Sequence, residues 1–474
     1  MMIIATVLVY FAVLFGMSRL VVGRRATNET FYRGERRSPW YMVAFGMVGA
    51  SISGVTVVSV PGMVLNSDMT YLQMCLGFIP GYIAVAFLLL PVYYKMNLTT
   101  IYSYLNERLG RRSYKTGAWF FLLSKLAGAA VRFYVVCIIL QRFVMEPAGV
   151  PFVVTVTAMV GLIWLYTRRG GIRTLVWTDM LHTACLFASV VLIFVGVAHA
   201  LGFGIGEAVQ SVAADARSRV FVTDDWMSGQ NLWKQLVSGA FVVIVMTGLD
   251  QDMMQKNLTC KTLREAQKDM CVYGLAFVPA NMLFLSLGVL LAQLAERQGM
   301  ALPVFGDELL PMFAATGLLG TAVVVLFAIG IVAASFSSAD SALTSLTTSY
   351  CVDIRESEAD EQLRRRVHVV MCGLFVVFIL LFRVLNSTSV IDAIYIMCSY
   401  TYGPLLGLFA FGLLTHRRVG DRLVPWVCVA SPLLCFAIDR VVAAAIGYRF
   451  GYELLLLNGM ITFVGLWLSA KFAD

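Results

Sequence analysis

The sequence predicts an all-α, polytopic membrane protein, and three observations carry that expectation. Of 474 residues, 59% are hydrophobic and only 14% charged, against about 25% charged in a soluble domain. Apolar stretches of about 20 residues, long enough to span a bilayer, recur to the end of the chain. The basic residues gather in alternate connections between those stretches. A soluble enzyme and a disordered chain are both excluded, because one needs a polar surface and the other low hydrophobicity. No polar segment is long enough to form an appended catalytic or nucleic-acid-binding domain.

About thirteen helices are expected, at 2–22, 39–64, 70–94, 117–145, 150–167, 174–200, 233–254, 268–294, 317–348, 367–386, 390–415, 423–441 and 450–470. The first has its arginines behind it and none ahead, which fits an uncleaved anchor rather than a signal peptide. Arg24, Arg25, Arg33, Arg36 and Arg37 follow it, and the next connection, 64–70, has no Lys or Arg. Lys95, Arg108, Arg111, Arg112 and Lys115 come next, then the bare 146–150. Arg168, Arg169 and Arg173 precede the mixed segment 201–232. Lys256, Lys261, Arg264 and Lys268 follow, then the nearly neutral 295–316. Arg355 with Arg364, Arg365 and Arg366, and later Arg417, Arg418 and Arg422, complete the alternation. The positive-inside rule then puts the N-terminus outside and the C-terminus in the cytoplasm of a bacterial-type inner membrane. The net charge of +8 is read as topology, not as a nucleic-acid surface. No obligate protein partner is evident. The ten cysteines stand singly and read as small hydrophobes, and the four histidines lack zinc-site spacing.

Ions inside the spans are costly, at least about 2.5 kcal/mol for a centred charge. Lys125 and Arg132 lie seven residues apart in the fourth span, on one helical face. Asp179 lies in the sixth span, Asp250 and Asp252 near the end of the seventh, and Asp340 in the ninth. They form either ion pairs that fix packing or an ion or solute path.

Two spans also read as interrupted. The second, FGMVGASISGVTVVSVPG, interleaves Gly46, Gly49 and Gly54 with Ser51, Ser53 and Thr56. Small residues allow close packing, and they equally describe a broken helix that exposes carbonyls. The seventh carries Gly248, Asp250 and Gln251 amid apolar residues, five spans later. That placement is expected of two inverted five-helix repeats with a binding site at the first helix of each. The run AASFSSADSALTSLTTS crowds hydroxyls onto one helix. Hydroxyls and carbonyls suit a hard monovalent cation, whereas a cage of carboxylates suits Ca2+.

On these residues the chain resembles the sodium:solute symporter family. GGIRTLVWTD, from Gly170 to Asp179, GLDQDMMQKNLTCKTLREAQ, from Gly248 to Gln267, and AASFSSADSALTSLTTSYCVDI, from Ala333 to Ile354, are similar to three of its motifs. The resemblance implies a five-plus-five inverted-repeat core of the leucine-transporter type that works by alternating access. The chain is then one transport domain. Residues 1–38 are an additional helix and its connection, 39–200 and 233–415 the two repeats, and 416–474 two further helices. The resemblance places a first sodium site at Gly49, Ile52, Ala334, Ser337 and Ser338. It places a second at Asp179 and Ser341. Asp340 stands where such members tend to have a hydroxyl. That carboxylate either strengthens the second site or repels Asp179 and takes a proton instead.

Ser51, Ser53 and Thr56 are expected to line the central cavity, with Gln73, Gln251 and Tyr71 as further polar contacts. Arg132 either pairs internally with Asp250 or grips a substrate carboxylate through two parallel hydrogen bonds. Sialic-acid symporters of this family are similar in having an arginine there, which implies a sugar acid. The expected activity is Na+-coupled import of a small, anionic solute. Import of a neutral sugar, polyol or amino acid, proton coupling, and a membrane sensor without its output domain are the alternatives. An intramembrane enzyme is not expected, because the chain shows no nucleophile–base pair or metal-ligand set.

Overall fold

A computed structural model describes the backbone of residues 2–22, 26–146, 149–316, 319–385, 390–448 and 450–470. Arg24 and Arg25 of the first basic connection lie outside them. The described residues are helical, without strands. Short helices at Asn28–Arg33, Ser103–Arg108, Ile205–Ala214 and Leu309–Thr316 lie in the connections; the others are α1 (Met2–Val22), α2 (Trp40–Ser51), α3 (Gly54–Ser67), α4 (Tyr71–Lys95), α5 (Arg111–Leu140), α6 (Phe152–Gly170), α7 (Ile172–Ala200), α8 (Leu232–Gly248) and α9 (Gln251–Asn257). They continue with α10 (Leu263–Arg297), α11 (Gly320–Ile354), α12 (Glu361–Leu385), α13 (Val390–Leu414), α14 (Val424–Ile446) and α15 (Leu454–Ser469). A helix or a broken pair stands at each expected place. Among the described residues nine helices are long and apolar enough to cross a membrane, or eleven spans if each broken pair is one.

Both expected interruptions are present. α2 and α3 bend by 61° and α8 and α9 by 70°. At the first break Ile52 (ψ 85) and Ser53 (ψ 171) leave the helical region. At the second, Asp250 is extended, and its carboxylate accepts from the Asp252 N–H at 2.8 Å. Such a cap satisfies one of the free N–H groups that every helix start leaves.

The centre is α7, packed on α2 and α11, with α5 beside α11 and α13. Glycines permit the closest approaches. A Cβ on Gly49 would lie 1.9 Å from Thr183 Oγ1 of α7, and one on Gly288 would lie 1.9 Å from the Pro61 carbonyl of α3. α10 runs well past its expected limits of 268–294, because its N-terminal turn is capped by the Thr262 hydroxyl, which accepts from Glu265 N. α14 keeps most of its surface outside the protein, as a lipid-facing helix does.

Candidate functional site

The two breaks face one central cavity. Ala50, Ser51, Ser53 and Thr56 line it from the first break, and Thr247, Asp250 and Asp252 from the second. α5 contributes Lys125 and Arg132, α11 contributes Ser338, and Tyr71, Tyr82, Tyr273 and Tyr402 add aromatic walls. Of the residues the sequence offers as solute contacts, Ser51, Ser53, Thr56, Tyr71 and Arg132 line this cavity. Ser51 Oγ is already hydrogen-bonded to the Tyr273 hydroxyl at 2.5 Å.

Gln73 and Gln251 do not. Gln73 donates to the Gln230 carbonyl at 2.9 Å and accepts from Val222 N at 3.0 Å. Gln251 accepts from Ile101 N at 2.9 Å and donates to the Thr99 carbonyl at 3.2 Å. Both amides are used up in satisfying loop backbone, a demand that buried polar groups impose. Neither lines the cavity.

The two cations of α5 have separate fates. Lys125 Nζ lies 3.1 Å from Asp250 Oδ2 and 2.6 Å from Asp252 Oδ2. Tyr402 donates to Asp250 Oδ2 at 2.6 Å. The internal pairing of Arg132 with Asp250 is thus overturned, because Lys125, two helical turns away, holds that carboxylate. Arg132 lines the cavity with no carboxylate partner among the described residues.

The breaks differ in what their carbonyls meet. At the second, Tyr93 donates to the Gly248 carbonyl and Tyr102 to that of Leu249, both at 2.9 Å. Phenols close that gap, as the absence of water in a membrane core requires. At the first break the Ser338 hydroxyl reaches the Ala50 carbonyl at 2.9 Å and the Ala334 carbonyl at 3.2 Å. Two carbonyls and a hydroxyl that converge, without a carboxylate among them, fit a monovalent hard cation. Gly49, in the last turn of α2, and Ile52, at the break, flank this point in the chain. Ser337 is turned away from it and donates to Asp179 Oδ1 at 2.6 Å.

The second expected site is assembled differently from the expectation. Asp179 and Ser341 are not hydrogen-bonded to each other among the described residues. Ser341 donates to Asp252. Asp179 Oδ2 lies 2.7 Å from Lys256 Nζ, and both side chains are almost fully buried. Asp340 accepts from Tyr166 at 2.6 Å and lies 3.7 Å from His182 Nε2, and Tyr10 pairs with His182 Nδ1. Asp179, His182 and Asp340 have ligand atoms within 4.8 Å of one another. The Lys256 ammonium, however, already stands against one of them. Sequence reading named Asp252 as an intramembrane carboxylate but missed Lys256 here. Lys256 counts as a loop cation by position, yet it closes the broken helix α9. Its spacing four residues after Asp252 on a helix is the signal that was available.

Discontinuous helices five spans apart with a polar cavity between them are the architecture of a secondary transporter. A sequence model of the sodium:solute symporter family matches residues 31–420, and the chain belongs to that family. Na+-coupled symport is its class of activity, in a multi-pass membrane protein. The chain is 25% identical over 450 residues to a sodium/sialic acid symporter of Proteus mirabilis, covering 89% of this chain and 87% of that one. A sodium/sialic acid symporter of Aliivibrio fischeri is also 25% identical, over 458 residues, covering 90% and 88%. A solved Na+-coupled sialic acid symporter in a substrate-bound, outward-open state superposes with a TM-score of 0.84 at 21% identity, covering 100% of this chain and 98% of that one. That likeness confirms the fold.

Proposed function

We propose that this protein imports a small carboxylate-bearing solute with Na+, and that a sugar acid of the sialic-acid class is the substrate. One observation carries the reading. Arg132 is the cavity cation that no protein carboxylate neutralises among the described residues, while Lys125 has two. A substrate carboxylate completes that pair, and relatives 25% identical to this chain carry sialic acid. Ser51, Ser53 and Thr56 supply hydroxyls for the polar remainder of the solute. A sugar acid labelled at its acetyl group, taken up by right-side-out vesicles and chased by neutral hexose, tests the class. Chase by hexose and not by sugar acid rejects it.

Sodium binds at the first break, with Gly49, Ile52 and Ala334 giving carbonyls and Ser338 a hydroxyl. Ser337 joins if it leaves Asp179. Ser338→Ala removes one ligand oxygen. It raises the Na+ concentration for half-maximal uptake severalfold, about 1 kcal/mol for a lost polar contact, and leaves maximal uptake in place. An unchanged Na+ dependence in vesicles rejects this ligand set.

The alternation of basic connections supports an N-terminus outside the inner membrane and a C-terminus in the cytoplasm. Residues 39–200 and 233–415 act as the two repeats. A single cysteine near 215 is labelled from outside by an impermeant thiol reagent, and one near 360 only after the membrane is opened. The reverse pattern overturns the orientation.

A further inference from the structure

A second polar cleft, of about 330 Å3, lies away from the central cavity, between the end of α6 and the start of α12. Arg168 and Arg169 line it from α6, and Arg364 and Arg365 from α12. We infer that this cleft binds the phosphate headgroup of an anionic phospholipid.

The charge balance is the first argument. Four guanidinium groups line the cleft, and the carboxylates of Asp360 and Glu361 at the start of α12 are engaged. Glu361 pairs with Arg365 at 3.2 Å, and Asp360 caps the start of α12 by accepting from Leu363 N at 2.8 Å. Arg168 and Arg169 have no carboxylate partner among the described residues. His368, which also lines the cleft, spends its ring nitrogens on Thr167 at 3.0 Å and Thr347 at 2.9 Å. It adds shape and no acceptor for the arginines.

Arg364 supplies the second argument. It is only 2% exposed. Its guanidinium lies 4.5 Å from the Phe31 ring centroid. One nitrogen reaches the Arg168 carbonyl at a long 3.4 Å, and Nε has no hydrogen-bond partner. A buried guanidinium left short of acceptors is costly. A phosphate oxygen supplies the acceptor with charge-assisted geometry.

The position selects a lipid over a soluble anion. The cleft opens at the ends of two apolar helices, beside Trp164 and Val369. Val369 and Val370 are both more than half exposed, so an apolar path leads from the arginines along α12. A headgroup seated on the guanidiniums lays an acyl chain there. Basic pockets between membrane helices take anionic headgroups for this reason.

The test uses the full chain, purified and stripped of lipid in detergent. Phosphatidylglycerol, phosphatidylcholine or inorganic phosphate is added, and bound species are counted by native mass spectrometry. Phosphatidylglycerol is retained and phosphatidylcholine is not. Arg168→Gln, Arg169→Gln and Arg365→Gln together weaken phosphatidylglycerol by about a hundredfold, each arginine giving about fivefold. Arg417→Gln with Arg418→Gln, another basic pair, leaves it unchanged. Val369→Ser, which makes the acyl path polar and adds no charge beside the arginines, also weakens retention of the lipid. Equal retention of phosphatidylcholine, or equal losses in the two arginine variants, overturns the inference. So does inorganic phosphate displacing the lipid at equal concentration, which makes the cleft a soluble-anion site.

Discussion

Arg132→Ala brings uptake of a sugar acid close to background while Na+ binding stays measurable. The side chain lines the cavity with no carboxylate partner among the described residues, so its removal leaves the substrate carboxylate desolvated and unpaired. Truncating one partner of a buried, hydrogen-bonded charge pair costs about 2–5 kcal/mol, which is roughly thirtyfold to several thousandfold in affinity. Arg132→Lys keeps the charge and loses the planar fork, so it falls between wild type and alanine. The protein itself should fold in all three forms, because Asp250 depends on Lys125 and Tyr402 instead. Sugar-acid binding is read by calorimetry on purified protein, and Na+ binding by Na+-dependent tryptophan fluorescence. Wild-type affinity for the acid in Arg132→Ala contradicts the assignment. Loss of folded protein in that variant contradicts it as well, since it would mean an internal role.

Lys256→Gln has the largest expected effect on folding. Its ammonium lies 2.7 Å from Asp179, deep in the protein. Removing one partner of a buried ion pair costs about 3–5 kcal/mol, mostly because the other charge is stranded. The variant should yield little monodisperse protein from membranes. Lys256→Gln with Asp179→Asn replaces the pair by two amides and recovers much of that yield. The same ion pair bears on coupling. A second sodium at Asp179 would sit beside an ammonium, and like charges repel strongly away from water. Uptake is therefore expected to rise with Na+ at a Hill slope near one. A slope near two, lowered to one by Asp179→Asn alone, contradicts this and restores the second site.

The fold was legible because hydropathy and charge alternation report directly on what faces lipid and what stays in water. The breaks were legible too. Glycines and hydroxyls at 46–56, and Gly248 with Asp250 at the second break, mark places where a membrane helix ends early. Which polar group serves which neighbour was less legible. Gln73 and Gln251 are amides in apolar runs, and a substrate contact is the obvious use for them. Their real demand comes from backbone at 222, 230, 99 and 101, brought near by loops whose path no periodicity encodes. Lys256 misled for a similar reason. Charge counting assigns a lysine after an apolar run to the loop, yet the 70° bend between α8 and α9 folds it back into the protein. Lys125 and Arg132 share a helical face, and the sequence reading offered Asp250 to Arg132 alone. Only the position of the second break decides which of them meets Asp250.

Uptake by proteoliposomes of the wild-type protein tests the central claim most directly. N-acetylneuraminate and its methyl ester are each offered with an inward Na+ gradient, and again with K+ replacing Na+ at fixed pH. The account predicts accumulation of the acid with Na+, little of the ester, and none of either with K+. A site built to pair a carboxylate rejects an analogue that leaves its guanidinium unmatched. Equal uptake of acid and ester would contradict the role of Arg132 in substrate choice. Uptake of the acid that is indifferent to replacing Na+ with K+ would contradict sodium coupling itself.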